Sequence, residues 1–145
     1  MPNKTGYYKD GKKKWEVPFK KGKRDGLATS WYQGGKKKWE VTWKYNSLDG
    51  PAIWWYPSGK KREEGAYKDG QKEGRWATWY GGNDGDQKMT ETTFKNGKKE
   101  GLYIRWHENG QKSHESTFKD GERDGPPTEW DENGQQKKVF TWKNG

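Results

Sequence analysis

Leu102-Tyr103-Ile104-Arg105-Trp106-His107-Glu108-Asn109-Gly110-Gln111-Lys112, continued by Glu115-Ser116-Thr117-Phe118-Lys119-Asp120-Gly121, is the stretch whose reading decides the fold. Leu102, Ile104 and Trp106 alternate with Tyr103, Arg105 and His107, the period-2 pattern of a strand with one buried face. Asn109-Gly110 and Asp120-Gly121 bring residues that accept the positive φ angles of tight hairpin turns. The stretch therefore predicts a strand, a turn, a second strand and a second turn.

Outward from it, the same residue types return every 24 residues. The anchoring glycines are Gly11, Gly35, Gly59, Gly110 and Gly134, with a stretched copy around Gly85. Four positions before each anchor stands an aromatic: Tyr7, Trp31, Trp55, Trp106 and Trp130, with Trp79 in the stretched copy. Five after it stands Glu16, Glu40, Glu64 or Glu115, with Val139 in the last copy. Eight after it an aromatic precedes a lysine: Phe19-Lys20, Trp43-Lys44, Tyr67-Lys68, Phe118-Lys119 and Trp142-Lys143. The stretched copy supplies Glu91 and Phe94-Lys95. A period of this length identifies a repeat array, and an array presents a surface rather than one active site.

Composition agrees with a thin sheet. Leu, Ile and Val number eight in 145 residues, whereas Trp, Tyr and Phe number 23, so rings and not aliphatics must supply the packing. Glycine interrupts every long stretch, and no 3.6-residue apolar period predicts a helix. The fold expected is all-β, a single elongated antiparallel meander of about eleven strands. Residues 1–145 then form one array with units of about 1–25, 26–49, 50–73, 74–100, 101–124 and 125–145. Trp31, Trp55, Trp79, Trp106 and Trp130 are expected on one face in a single rank. With Phe19, Trp43, Tyr67, Phe94, Phe118 and Trp142 they are expected to build an aromatic ladder, opposite a face of Glu and Lys.

The unit Glu-x-x-[aromatic]-Lys-[Asp/Asn]-Gly-x-x-[Asp/Glu]-Gly, followed by Trp-Tyr-x-x-Gly-x-Lys, resembles the MORN repeat. It is most similar to the bacterial variant of the YwqK-family antitoxins. Glu115–Gly121, Glu91–Gly97 and Trp106–Lys112 carry the match best. The eukaryotic pattern places a glycine two residues before the repeat aromatic. Only Gly65 fits it here, against Val17, Val41, Thr92, Ser116 and Phe140. What the resemblance implies is a repeat scaffold that binds, and a protein that neutralises a cognate toxin.

Chemistry-bearing motifs are few. There is no cysteine, so neither a disulfide nor a thiolate metal site is available. His107 and His114 occupy positions held by Tyr32 and Trp39 in other copies, which makes them sheet residues. Glu16, Glu40, Glu64, Glu91 and Glu115 recur in each repeat and do not form a unique acid–base pair. Gly81–Asp86 clusters oxygens as a calcium loop does, but it lacks the EF-hand spacing and reads as a hairpin tip. No enzyme, cofactor or metal site is expected.

Charge is the informative remainder. The net charge is +9, and residues 1–73 carry all of it, with 18 Lys/Arg against 9 Asp/Glu. Lys12-Lys13-Lys14, Lys36-Lys37-Lys38 and Lys60-Lys61-Arg62 share one offset, which places them on one margin of a ribbon about 10 Å apart. A solvated edge that resists edge-to-edge pairing accounts for them equally well. Read functionally, they dock another protein with an acidic surface. Anionic lipid head groups or cell wall are the alternative, self-association through uncapped sheet edges a third, and nucleic acid ranks last. No apolar run approaches the roughly 18 residues of a membrane span. As it stands the chain reads as cytoplasmic, and as a trimmed piece of a longer precursor it reads as exported or surface-bound.

Overall fold

The computed structural model describes residues 3–82 and 86–137, and these fold entirely as strands and turns. Two compact units, residues 1–71 and 72–145, divide the chain. The boundary lies two residues from the expected repeat junction.

The first unit holds β1 (Lys4–Tyr7), β2 (Lys13–Val17), β3 (Phe19–Lys20), β4 (Lys23–Arg24), β5 (Gly26–Trp31), β6 (Lys37–Lys44), β7 (Ser47–Trp55) and β8 (Lys61–Lys68). Its sheet runs β1-β2-β5-β6-β7-β8, each strand antiparallel to the next, while β3 and β4 pair separately. The second unit holds all but the first residue of β9 (Gln71–Trp79), with β10 (Lys88–Lys95), β11 (Lys98–Trp106), β12 (Lys112–Lys119), β13 (Glu122–Arg123) and β14 (Thr128–Glu129). Its strands follow the order β9-β10-β11-β12-β13, with β14 also on β12. The all-β meander is therefore what the alternation and the turn glycines predict.

Fourteen strands among the described residues replace the expected eleven, and Pro18 explains one break. It occupies the position of Thr42 in the next copy, where β6 runs on unbroken, but it has no N–H to give a ladder. Its carbonyl instead takes the Asp25 N–H at 3.0 Å, and Phe19 pairs with Arg24 off the main sheet.

Two kinds of turn alternate. Asp69-Gly70, Asn96-Gly97 and Asp120-Gly121 take positive φ at both residues, as two-residue hairpins of right-handed twist require. At the other end a three-residue loop closes on the anchoring glycine: the Gly35 N–H meets the Tyr32 carbonyl at 2.9 Å, and the Tyr32 N–H meets Lys36 at 2.8 Å.

Just past that loop every described copy carries one extra residue. Ser30 pairs with Trp39 but Trp31 with Lys37, leaving Lys38 unopposed. Lys14, Arg62, Met89 and Ser113 are the equivalent bulge residues. The bulge overturns the expected single ladder. Leu27, Thr29 and Trp31 lie across from Thr42, Glu40 and Lys37, so the first-strand tryptophans share a face with the Glu and Lys residues. Trp31 and Trp55 stand there in the first unit, and Trp79, Trp106 and Trp130 in the second. The second-strand rings, Trp43 and Tyr67 in one unit and Phe94 and Phe118 in the other, occupy the opposite face. Phe19 is off the main sheet, and Trp142 lies outside the described residues.

The packed face is consequently the second one. Ala28, Val41 and Ala52 are buried there, flanked by Val17, Trp39, Trp43, Leu48, Trp54 and Tyr67. Leu102, expected on the buried side, is 46% exposed, and Leu27 at the equivalent position is 53% exposed. Glycines stand opposite the large rings: Gly26 across from Trp43, Gly50 from Tyr67, Gly74 from Phe94 and Gly101 from Phe118. In the second unit Trp76, 3% exposed, meets Phe94 edge-on at 6.3 Å, and Tyr103 meets Phe118 at 6.1 Å. Cations close the ranks: Arg24 lies 3.8 Å over Trp43, Lys72 5.0 Å from Phe94 and Lys99 5.0 Å from Phe118.

Candidate functional site

The basic triplets of the first unit sit where the three-residue loops enter β2, β6 and β8, and each of the three positions does something different.

The middle lysine is structural. Lys13, Lys37 and Lys61 reach Glu16, Glu40 and Glu64 at 3.2, 2.7 and 2.7 Å. Lys88–Glu91 and Lys112–Glu115 repeat the pair in the second unit. Such exposed pairs are individually worth little. The Lys13 ammonium, by hydrogen bonding, holds the Glu16 carboxyl below the usual carboxylate range. These three cations are thus matched by carboxylates and add little to the field.

At the first position Lys36 packs on the following turn, whereas Gly35, the glycine Lys12 would cross, has nothing beside it. The Lys36 ammonium donates to the Ser58 carbonyl at 2.8 Å and its stem crosses Gly59. In the second unit Gln87 reaches Gly110 and Gln111 reaches Gly134 in the same way, without charge. A shallow hollow of about 270 Å³, lined by Lys36, Lys37, Trp55 and Gly59, opens at this margin.

The third position is the bulge. Lys14 lies 5.6 Å over the Tyr8 ring and Lys38 5.8 Å over Tyr32. Both ammonium groups and Arg62 are exposed. The second unit builds the same bulge with Met89 and Ser113, so the fold does not require a cation there. Of the nine expected edge residues, Lys12, Lys14, Lys36, Lys38, Lys60 and Arg62 are those whose charge the repeat can do without.

Two recurrent devices escaped the sequence reading. The Tyr8 hydroxyl donates to the Trp31 carbonyl and the Tyr32 hydroxyl to that of Trp55, both at 2.6 Å, each bond linking consecutive copies. Tyr80 does the same to Trp106 at 2.6 Å, and His107 Nε2–H to Trp130 at 2.9 Å. The recurring ring three residues before the anchor was the signal. The acidic residue before each repeat glycine is the second device. Asp25 accepts the Tyr45 N–H, Glu73 that of Asn96 and Glu100 that of Asp120, each on the next hairpin turn.

His107 thus fills a tyrosine's structural place, as its offset implies. His114 stands 3.3 Å from Ser116 Oγ and 3.4 Å from Glu129. That resembles a nucleophile, base and orienter. However, Ser116 is 4% exposed, on the packed face where Val41 stands in an earlier copy, and so no substrate approaches its hydroxyl. Burial raises the Tyr67 phenol above its ordinary value, with Glu63 adding to the effect. The Gly81–Asp86 tip includes residues 83–85, which lie outside the described set. No group of three or more His, Cys, Asp or Glu able to hold a metal occurs among the described residues.

No curated protein matches this chain. Among solved structures, the chain is similar to part of the GtfA/B complex bound to UDP and GlcNAc, at 11% identity and a TM-score of 0.31. It aligns over 88% of its own length and 24% of that chain. The family model described as "MORN repeat variant" matches residues 48–69 and 99–120, one copy in each compact unit. MORN repeats are in general modules that bind proteins or membranes, and two segments of this chain match that model.

Proposed function

We propose that this chain is a non-catalytic protein-binding module whose partner presents an acidic surface, and that it neutralises that partner as an antitoxin or immunity protein does. One observation carries the reading. At equivalent positions of one repeat, the first unit carries Lys12, Lys14, Lys36, Lys38, Lys60 and Arg62, whereas the second carries Gln87, Met89, Gln111, Ser113 and Gln135, with Lys137 as its one cation among these described positions. Charge that the fold does not need, gathered on one margin, attracts and orients an oppositely charged surface.

The test transplants the second unit's own residues: Lys12→Gln, Lys14→Ser, Lys36→Gln, Lys38→Ser, Lys60→Gln and Arg62→Ser. The thermal melt should be preserved. A partner captured from the native source by the unaltered chain, and released by raising the salt from 0.1 to 0.5 M, should no longer be retained. Retention by the altered chain would overturn the reading. Equal cosedimentation of both chains with phosphatidylserine vesicles, without a protein partner, would speak for membrane attachment through another surface.

A further inference from the structure

We propose that the segment seated on this edge is a polyproline-II stretch with a carboxylate at every third residue, lying across the strands over Lys14, Lys38 and Arg62. The proposal rests on the acidic-partner reading above and adds the partner's conformation and spacing.

Two of the three cations are set in place before anything binds. Tyr8 and Tyr32 are each tied by a 2.6 Å hydroxyl bond to the carbonyl of the next copy's tryptophan. Lys14 and Lys38 in turn rest over those rings. Arg62 takes the same bulge position in the third copy and is exposed. Consecutive copies are two strands apart, because β2-β5-β6 and β6-β7-β8 are neighbours in the sheet. At 4.7–4.9 Å per strand the row therefore repeats every ~9.5 Å.

Few peptide conformations present one charge at that interval on one side. An extended strand alternates faces, so its same-side residues recur at ~6.7 Å and its third residue points away. A polyproline-II helix has three residues per turn and rises 3.1 Å per residue, which repeats one side every ~9.3 Å. Three carboxylates at positions one, four and seven would span ~18.6 Å, against ~19 Å from Lys14 to Arg62. The intervening prolines also have a surface to meet. Half-buried Tyr8, Tyr32 and Tyr56 line the same row, and prolines of such helices dock on aromatic rings. A stretch already in this conformation loses little entropy on docking.

The test uses the full chain and three fluorescein-labelled nine-residue peptides of identical composition, measured by anisotropy at 50 mM salt. One carries Glu at every third position between prolines, one carries the three Glu together, and one alternates Glu with proline before a run of prolines. Spaced Glu should bind at least tenfold more tightly than either isomer. Lys14→Ser, Lys38→Ser and Arg62→Ser combined should erase that preference without changing the melt, since Ser113 already occupies the bulge. Equal affinity of all three peptides, lost together in the triple variant, would overturn the spacing while leaving the acidic docking intact. No binding by any of them would overturn the proposal outright, and the transplanted variant would then decide the acidic-partner reading separately. A twelve-residue oligothymidine binding more tightly than the spaced peptide would overturn it in favour of single-stranded nucleic acid.

Discussion

Tyr32→Phe isolates the bond that ties one repeat to the next. The hydroxyl donates to the Trp55 carbonyl at 2.6 Å from a half-buried ring, and nothing else in the pair changes when the oxygen is removed. Phenylalanine keeps the ring under Lys38, so the cation–π contact survives. What is lost is one net hydrogen bond, about 0.5–1.5 kcal/mol, with the carbonyl left to find water at the sheet surface. Because water can reach that margin, the full penalty of an orphaned buried acceptor does not apply, and we expect about 1 kcal/mol. Urea denaturation followed by tryptophan fluorescence measures it, with Tyr45→Phe as control. Tyr45 is 52% exposed on a turn, and its loss should stay within ~0.5 kcal/mol. Equal effects of the two substitutions would refute the claim that these hydroxyls join the copies.

Burial separates the tryptophans. Trp76→Ala, at 3% exposure, should cost ~3–5 kcal/mol, and half-buried Trp55→Ala about half as much, by the same denaturant melts. Gly50 has φ +128° and a Cβ there would sit 2.9 Å from the Thr42 Cβ, so Gly50→Ala should lower stability by roughly 1–3 kcal/mol. Alkaline titration tests Tyr67. Its phenol is raised in the folded chain, so as pH climbs past about 10 the unfolded chain loses its proton first. Native protein then holds the extra proton and stability falls with pH, a loss that Tyr67→Phe should lessen.

Much of the architecture was legible before any coordinates. The 24-residue period, the alternation and the Asp-Gly and Asn-Gly pairs specify hairpins in sequence order, and those are what formed. Face assignment was not legible, because alternation alone does not register a bulge. One unopposed residue between Trp31 and Trp39 inverts the side on which the second strand begins. Leu102 looked like core because it alternates in register with Ile104 and Trp106, whereas Ala28 and Ala52 are core because a small residue admits a neighbouring indole. The triplets were visible as charge, but their division of labour needed geometry. Glu40 three residues after Lys37 became an ion pair only once the bulge brought them to one face. The tyrosine bonds were hidden for a different reason. They join residues 23 apart, and a repeating ring does not reveal whether its hydroxyl or its face is used.

Amide hydrogen exchange on the chain, alone and with its captured partner, tests the division between structural and recognising lysines most directly. Slowed exchange in residues 8–14, 32–38 and 56–62, with 107–113 unchanged, is the result this account predicts. Protection centred on the packed face, in 39–43 and 90–94, with those three segments unaffected, would contradict it.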